Sequence, residues 1–325
     1  MCGKPAVYMA DTLFPEAHAL LAEKFDLRFR PDGESLDPLP LPAGMDDICA
    51  VFISLTTRFD RAAIDALPPS VKAICTYSVG TNHIDLPAAA SRGVQVLCTP
   101  DVLSETCADT ALLLMLGAGR RAVEGLRLLK SGHWQGWGPD QLLGKDLYGQ
   151  RLGIFGLGRI GQAIARRARG FAMTVHYHNR HPLSPERADG ARYHATLDGL
   201  LAQSDYFCVA CPPSPQTRGI IDRRALSLLP AGAVVVNISR GDIINDDALI
   251  DALRSGRVAA AGLDVFAGEP QVNPAYQTLD NVFGLPHLGS ATHATRLHMA
   301  AALRDGLSSL LAGKIPANIA LPAQA

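Results

Sequence analysis

The chain has 325 residues, a length that suits two domains better than one. Its 48% of hydrophobic and 19% of charged residues form an ordinary globular composition that can bury a large core. The net charge of −1 and the shortness of the longest apolar run, 111–118, predict neither nucleic-acid nor membrane partners. The N-terminus lacks a secretory pattern, and seven scattered cysteines favour a reducing, cytoplasmic compartment.

The first hundred residues alternate short apolar runs with helical patterns, which is typical of a parallel α/β sheet. The predicted strands are Ala6–Met9, Asp26–Phe29, Ile48–Ser54, Val71–Tyr77 and Val94–Cys98. One long helix is predicted from Ser104 to Lys130, because no proline interrupts its small and apolar residues. The loop that follows carries Trp134 and Trp137, and it is either flexible or buried against a second subunit.

A second alternating series begins at Arg151, and a final helix is predicted from Ala291 to Gly313. The predicted strands of this series are Arg151–Phe155, Thr174–His178, Tyr206–Ala210, Ala233–Ser239, Ala260–Val265 and Val282–Leu285. Six such strands with crossover helices make a complete doubly wound sheet. We therefore predict an α/β protein with two doubly wound parallel-sheet domains and a cleft between them. Residues 101–290 form a Rossmann-type dinucleotide-binding domain, and residues 1–100 with 291–325 form a flavodoxin-like substrate domain.

A glycine-rich turn follows the first strand of the second series. Gly156, Gly158 and Gly161 form a GxGxxG pattern between an apolar strand and a helix, which is the context that dinucleotide binding requires. Gly156 would allow the tight turn, Gly158 the approach of a pyrophosphate, and Gly161 close packing of helix and strand. The helix N-terminus would add free N–H groups and a partial positive charge.

The end of the next strand bears on the choice of dinucleotide. NAD enzymes usually place Asp or Glu there for the ribose hydroxyls. Here Asn179 and Arg180 occupy that place, between His178 and His181. A guanidinium can hold a 2′-phosphate that a carboxylate would repel. NADP(H) is therefore the expected cofactor and NAD(H) a weaker one, unless Arg180 is only a solvated surface arginine.

Three polar residues follow three apolar strands, at the strand ends where ligands bind in open α/β sheets. They are Arg240, Glu269 and His287. An arginine can hold an anionic acid, a histidine can exchange a proton near neutral pH, and a carboxylate beside the histidine would favour its charged form. These residues are the candidate catalytic set.

Cys208 and Cys211 form a CxxC pattern within an apolar strand. A second metal-type pair is absent from the sequence. Plain packing is the favoured interpretation over zinc or redox chemistry, and no metal is predicted.

Four motifs together resemble the D-2-hydroxyacid dehydrogenase family, over residues 45 to 312. They are Gly156-Leu-Gly-Arg-Ile-Gly161, Asn237-Ile-Ser-Arg-Gly241, Leu263-Asp-Val-Phe-Ala-Gly-Glu-Pro270 and Pro286-His-Leu-Gly-Ser290. The resemblance is nearest to the NADPH-dependent glyoxylate/hydroxypyruvate reductases. It implies that Arg240 binds the substrate carboxylate and carbonyl, that His287 is the acid–base, and that Glu269 tunes His287.

The same resemblance implies further contacts and a homodimer. It places the substrate against Leu55, Val79, Gly80 and Ser290, with Trp137 reaching in from the neighbouring subunit. The cofactor contacts that it implies are Thr106, Gly156, Leu157, Gly158, Arg159, Ile160, Gly161, Asn179, Arg180, Cys211, Pro212, Thr217, Ile238 and Asp264.

The function that follows is NADPH-dependent reduction of a small 2-oxo acid to the D-2-hydroxy acid. A reductase of a bulkier acid such as 2-ketogluconate stays open, as does a non-catalytic dinucleotide sensor or corepressor. The sensor would not need the full Arg240–Glu269–His287 set. A dehydrogenase of a different anion, such as formate or phosphite, is the other alternative. The family's 2-oxo acid enzymes carry the glutamate found at Glu269, which argues against formate.

Overall fold

The structure is a computed structural model that describes residues 3–29, 41 and 44–320. It divides into two compact units. The first unit is Met1–Leu103 with Ala291–Ala325, and the second is the continuous segment Ser104–Ser290. Both units are built on parallel sheets, so the α/β class predicted from the alternating pattern is confirmed.

The first unit has a five-stranded sheet in the order β2-β1-β3-β4-β5, with every pair parallel. Its strands are β1 (Ala6–Met9), β2 (Asp26–Phe29), β3 (Ala50–Ile53), β4 (Ala73–Thr76) and β5 (Gln95–Leu97). Its helices are α1 (Pro15–Ala22), α2 (Arg61–Asp65), α3 (Leu86–Ser91) and, from the C-terminal segment, α12 (His293–Leu311). This strand order is the flavodoxin-like one.

The strands β1, β3 and β4 are buried along their whole length, as expected of a parallel sheet covered on both faces. The helix α12 packs against α1, β4 and β5, so the C-terminal segment completes the core of the first unit. Thr292 caps this helix by accepting a hydrogen bond from the Thr295 amide.

The second unit has a seven-stranded parallel sheet in the order β12-β11-β10-β9-β6-β7-β8. Its strands are β6 (Arg151–Phe155), β7 (Thr174–His178), β8 (Arg192–Tyr193), β9 (Tyr206–Val209), β10 (Ala233–Asn237), β11 (Val258–Leu263) and β12 (Val282–Gly284). Its helices are α4 (Ser104–Gly119), α5 (Ala122–Lys130), α6 (Arg159–Arg169), α7 (Pro185–Ala188), α8 (Leu197–Leu201), α9 (Arg223–Leu228), α10 (Asp246–Arg254) and α11 (Ala275–Thr278).

The strand order of the second unit reverses between β6 and β9. Such a reversal leaves a crevice at the carboxyl ends of the two strands, where doubly wound sheets bind ligands. Two buried apolar clusters cover the two faces of the sheet and hold this edge in place. The candidate site residues of the second unit lie at this edge.

The prediction of a single long helix from Ser104 to Lys130 is wrong, because the structure has two helices there. The chain leaves the helix after Gly119, and Arg121 takes a left-handed conformation with φ +55° before α5 begins. The Lys145 amide donates to the Gly119 carbonyl at 2.7 Å, a bond that replaces the next helical turn. The sequence hides this break because neither a proline nor a capping side chain marks it.

A smaller difference concerns one edge of the second unit. The two-residue strand β8 was not predicted, because Arg192–Tyr193 is too short to show a periodicity. It pairs with β7 through His176 and Tyr177. None of the helices in the part of the chain that the structure describes has the length and apolar character needed to cross a membrane.

Candidate active site

A histidine–carboxylate pair lies beyond the ends of β11 and β12. His287 Nδ1 is 2.8 Å from Glu269 Oε2, and both side chains are about one-third exposed, at 31% and 32%. The second oxygen, Glu269 Oε1, accepts a 2.6 Å hydrogen bond from the Phe266 amide. Glu269 is thereby fixed in an orientation that presents one oxygen to the imidazole.

The electrostatics of the pair favour a charged Glu269. Burial raises the pKa of the Glu269 carboxyl, but the hydrogen bonds from His287 and the Phe266 amide outweigh it, together with the charges of His287 and Arg240, and leave the pKa below its usual value. An ionised carboxylate at 2.8 Å stabilises an imidazolium and fixes the Nδ1–H tautomer. The other ring nitrogen, Nε2, is then the one that can exchange a proton with a ligand.

Arg240 belongs to the same site. It follows β10 directly, and Glu269 and Asp242 both interact favourably with its charge. Burial lowers the pKa of the Arg240 guanidinium and these two carboxylates oppose the shift, so that the group stays a cation at neutral pH. One nitrogen, Nη1, donates to the Ser239 carbonyl at 2.7 Å. The structure thus brings together the three residues that the sequence proposed as a catalytic set.

Two neighbours that the sequence analysis did not single out shape the loop bearing Arg240. The buried Asn237 donates from Nδ2 to the Arg240 carbonyl at 2.9 Å, and its Oδ1 accepts from the Ser239 amide at 3.0 Å. At Gly241 an added Cβ would lie 1.9 Å from the Phe266 carbonyl carbon. The absence of a side chain therefore lets the Arg240 loop pack directly on the loop that leads to Glu269.

The glycine-rich turn after β6 has a geometry that fits a dinucleotide pyrophosphate. Gly156 has φ +103°, and a Cβ there would lie 2.5 Å from the backbone of Cys211. A Cβ on Gly161 would lie 2.4 Å from the Gly156 carbonyl oxygen, which confirms the predicted close packing of helix and strand. By contrast, a Cβ on Gly158 would meet no atom within 4 Å. The open space beside Gly158 and the absence of a side-chain cap on α6 leave room for an anionic group.

Asn179 and Arg180 lie at the end of β7, beside this turn. Asn179 Oδ1 accepts a 2.7 Å hydrogen bond from the amide of Leu157, the residue between the first two glycines. The Nδ2 amide group of Asn179 has no hydrogen-bond partner among the described residues. Arg180 is exposed, and the described part of the chain gives it no ion-pair partner. Both residues therefore present hydrogen-bond donors, not acceptors, beside the turn.

The remaining cofactor residues implied by the resemblance are spread over four elements of the second unit. Thr106 lies in the first turn of α4, where its carbonyl accepts from Thr110. Cys211 and Pro212 follow β9, and Thr217 Oγ1 folds back onto the Pro212 carbonyl at 3.2 Å. Ile238, which is 9% exposed, follows β10. Their cofactor contacts remain predictions.

Asp264 has surroundings that the sequence analysis did not foresee. It follows β11, it is 1% exposed, and its two carboxylate oxygens accept hydrogen bonds from the amides of Leu288 and Gly289 at 2.7 and 2.8 Å. Burial raises the pKa of the Asp264 carboxyl, and these two amides and His287 oppose the shift. Each oxygen thus accepts one hydrogen bond from the chain and can accept a second.

The predicted substrate residues divide between the two units. In the first unit, Leu55 is half-buried, and Val79 and Gly80 lie in a loop that the Ser78 hydroxyl pins by donating to the Gly80 carbonyl at 2.7 Å. Among the described residues, none accepts a hydrogen bond from the amides of Val79 and Gly80. In the second unit, Ser290 is half-buried and Trp137 is 84% exposed.

The CxxC cysteines are buried, and burial raises the pKa of the Cys208 and Cys211 thiols to about 12. Neutral, buried thiols pack as small apolar groups. The described residues contain no group of three or more His, Cys, Asp or Glu side chains placed to share a metal ion. The packing interpretation of the CxxC pattern therefore fits its surroundings.

Comparisons with known proteins agree with this geometry. The family model described as "D-isomer specific 2-hydroxyacid dehydrogenase, NAD binding domain" matches residues 112–289, more than half of the chain. A glycerate dehydrogenase of Hyphomicrobium methylovorum is 41% identical over 266 residues, which cover 81% of this chain and 83% of that protein. A glyoxylate/hydroxypyruvate reductase B of Yersinia pestis is 38% identical over 322 residues, covering 98% of each chain.

A solved structure is similar along almost the whole chain. It is an NADPH-dependent glyoxylate/hydroxypyruvate reductase of Sinorhizobium meliloti in complex with NADP and malonate. Its sequence is 33% identical, the alignment covers 99% of this chain and 100% of that one, and the TM-score is 0.88. The fold described above is thus similar to that of this reductase along almost the whole chain.

Proposed function

Because the chain belongs to the D-isomer-specific 2-hydroxyacid dehydrogenase family, we propose that it reduces a small 2-oxo acid, of the glyoxylate and hydroxypyruvate class, to the D-2-hydroxy acid. The observation that supports this most directly is the 2.8 Å contact between His287 and Glu269 beside Arg240. A dinucleotide sensor has no need for a histidine whose protonated form is stabilised in this way.

In the proposed mechanism, NADPH supplies the hydride that reduces the carbonyl carbon when it is bound. Arg240 binds the substrate carboxylate and stabilises the negative charge that develops on the carbonyl oxygen. Protonated His287 gives its Nε2 proton to that oxygen, and Glu269 keeps the imidazole charged and oriented. The unpaired amides of Val79 and Gly80 are the donors that we propose for the substrate carboxylate, with Leu55 and Ser290 as neighbouring contacts.

The cofactor proposal is NADP(H), with NAD(H) as the weaker alternative. Two observations support it. Asn179 and Arg180 offer hydrogen-bond donors at the end of β7, and the similar reductase from Sinorhizobium meliloti is NADPH-dependent. The turn Gly156–Gly161 and the first residues of α6, Arg159 and Ile160, would hold the pyrophosphate through backbone N–H groups. The residues Thr106, Leu157, Cys211, Pro212, Thr217, Ile238 and Asp264 are proposed to line the same site.

We further propose a cytoplasmic homodimer. The helix α5 has no buried residue, and it exposes Leu126 and Leu129 at 52% and 61%. Trp134 and Trp137 follow, exposed at 53% and 84%. Exposed apolar side chains in one continuous segment are typical of a surface that a second subunit covers. Trp137 is proposed to reach the substrate site of that subunit.

The test is an absorbance assay at the reduced-nicotinamide band with NADPH and a panel of acids. Glyoxylate and hydroxypyruvate should be reduced, and His287→Asn should abolish most of the rate. If 2-ketogluconate is reduced faster than both glyoxylate and hydroxypyruvate, the substrate belongs to the bulkier 2-oxo acids. A protein that binds NADPH and reduces no acid of the panel would contradict the proposal and favour the sensor.

A further inference from the structure

The backbone of the proposed acid–base residue is in an unusual conformation. His287 has φ +56°, in the left-handed region that residues with a side chain adopt only rarely. Such a conformation persists where the surrounding structure imposes it, and residues of this kind cluster at functional sites. The contacts of the segment His287–Gly289 show what imposes it here.

Three consecutive amides of this segment donate to one residue, Asp264. The His287 amide donates to the Asp264 carbonyl at 2.9 Å. The Leu288 amide donates to Oδ1 at 2.7 Å, and the Gly289 amide donates to Oδ2 at 2.8 Å. Because Asp264 is 1% exposed, no bulk water competes for these bonds.

Asp264 itself is held by the sheet. Its amide donates to the carbonyl of Asn237, the last residue of β10, at 3.0 Å. Asn237 in turn holds the loop of Arg240 through its side chain. Asp264 is therefore held in place at the ends of the neighbouring strands β10 and β11. Hydrogen bonds connect it, through Asn237, to the loop of Arg240 and directly to the segment His287–Gly289.

The segment 264–266 also fixes Glu269, the hydrogen-bond partner of His287. Phe266, two residues after Asp264, gives its amide hydrogen to Glu269 Oε1 at 2.6 Å. One end of the Glu269–His287 pair is thus held by the Phe266 amide and the other by the Asp264 carboxylate. A shift of either anchor would lengthen the 2.8 Å contact between Nδ1 and Oε2.

We propose that Asp264 is a positioning residue, whose carboxylate holds His287–Gly289 in the strained conformation that directs the imidazole onto Glu269. This inference rests on the proposed acid–base role of His287. It assigns to Asp264 a task in addition to the cofactor contact proposed above, because each carboxylate oxygen that accepts one hydrogen bond from the chain can accept a second.

Two variants test the proposal from different directions. Asp264→Asn keeps the shape but replaces one acceptor oxygen with a donor that faces an amide. Gly289→Ala keeps the charge of Asp264, and its new Cβ would lie 3.0 Å from Oδ2, so the segment must move. Since a displacement of about 1 Å can cost ~100-fold in rate, each variant should lower kcat by ~10–100-fold. In Gly289→Ala, which keeps the Asp264 carboxylate, the dissociation constant of NADPH, measured by fluorescence titration, should change by less than about threefold.

The Nδ1 proton of His287 separates positioning from simple loss of stability. In the wild type this proton lies in the 2.8 Å contact with Glu269 and should be protected from exchange with water, whereas in both variants its NMR resonance should broaden or disappear. Gly289→Ala carries this test without any change of charge. The matched control is Asp246→Asn, which removes a half-buried carboxylate that accepts the Tyr276 hydroxyl at 2.9 Å. It should change the melting temperature alone.

Recording this resonance in the cofactor-free protein keeps the test apart from that of the proposed function. If the wild type reduces no 2-oxo acid, the reaction proposal fails, but loss of the Nδ1 proton resonance in the variants still supports the positioning role. A resonance that stays unchanged in Gly289→Ala would overturn it. An unchanged kcat in Asp264→Asn would also overturn it, and a weaker NADPH affinity in that variant would then leave Asp264 as a cofactor contact only. If Asp264→Asn does not fold, Gly289→Ala alone decides.

Discussion

The sharpest prediction concerns the single change Asn179→Asp. Asparagine and aspartate have the same shape, and in both the inner oxygen can accept the 2.7 Å hydrogen bond from the Leu157 amide. The glycine-rich turn should therefore keep its conformation. Only the second terminal atom of the side chain changes, from the Nδ2 nitrogen that donates hydrogen bonds to a charged oxygen that accepts them. The variant thus isolates the chemistry that the site presents to the 2′ position of the ribose.

The size of the effect follows from the strength of a charge-assisted hydrogen bond. Such a bond to a phosphate contributes about 1.5–3 kcal/mol, and each ~1.4 kcal/mol is a factor of ten in kcat/KM. The wild type should therefore prefer NADPH over NADH by ~10–100-fold. Asn179→Asp should reduce the NADPH value by at least ~10-fold, by loss of the donor and by repulsion of the 2′-phosphate. Adding Arg180→Ala should reverse the preference.

The assay is kcat/KM for both cofactors at a saturating 2-oxo acid, with Asn179→Ala as the control. That control loses the bond to Leu157 without gaining a charge, so it should lower the values for both cofactors together. A wild type that uses NADH as well as NADPH would show that Arg180 is a solvated surface arginine. An Asn179→Asp variant whose cofactor ratio stays within about threefold of the wild type would refute the reasoning about the amide.

Three further predictions address catalysis, assembly and acid stability. His287→Asn should lower kcat by ~10²–10⁴-fold with an unchanged circular dichroism spectrum, whereas near-normal turnover would exclude the acid–base role. Sedimentation at micromolar concentration should show a dimer, and Trp137→Ala should raise KM for the 2-oxo acid; a stable monomer would contradict both. Burial, with the charge of His194, lowers the pKa of His176 to about 4, so the unfolded state binds more protons below pH 6.5 and the folded state loses stability as the pH falls from 6.5 towards 4. His176→Gln should flatten that dependence of stability on pH in thermal melts, and an unchanged dependence would rule out His176 as its origin.

Most strands were predictable because their apolar runs are buried on both faces of a parallel sheet. The edge strand β2 was predicted although none of its residues is buried, whereas the edge strand β8 was missed. The strand β8 has only two residues, and one of them is exposed. The break between α4 and α5 depends on the left-handed Arg121, a conformation that no local sequence pattern requires. Tertiary contacts of Gly119 decide it instead, since a Cβ there would lie 2.3 Å from the Tyr206 hydroxyl.

In the candidate site, too, some residues could be predicted from the sequence and others could not. Arg240, Glu269 and His287 could be found because charged residues stand out after apolar strands, and the resemblance gave them roles. Their supports could not be found, because the donors at Phe266, Leu288 and Gly289 are backbone amides that every residue except proline possesses. Gly241 stood in a recognised motif, but only the distance to Phe266 explains why a glycine is needed.

The interrupted first unit has a consequence for how the protein is made. Strand β5 ends beside the other end of the chain, because the Cys98 amide donates to the Asn318 carbonyl and the Ala320 amide donates to the Val96 carbonyl. The helix α12 packs on α1 and β4. The N-terminal part of the first unit must therefore wait for residues 291–320 to leave the ribosome, while Ser104–Ser290 can fold in between. We expect the second unit to be the first to acquire protease resistance on stalled ribosomes, and the first unit to gain it only once residues 291–320 have emerged.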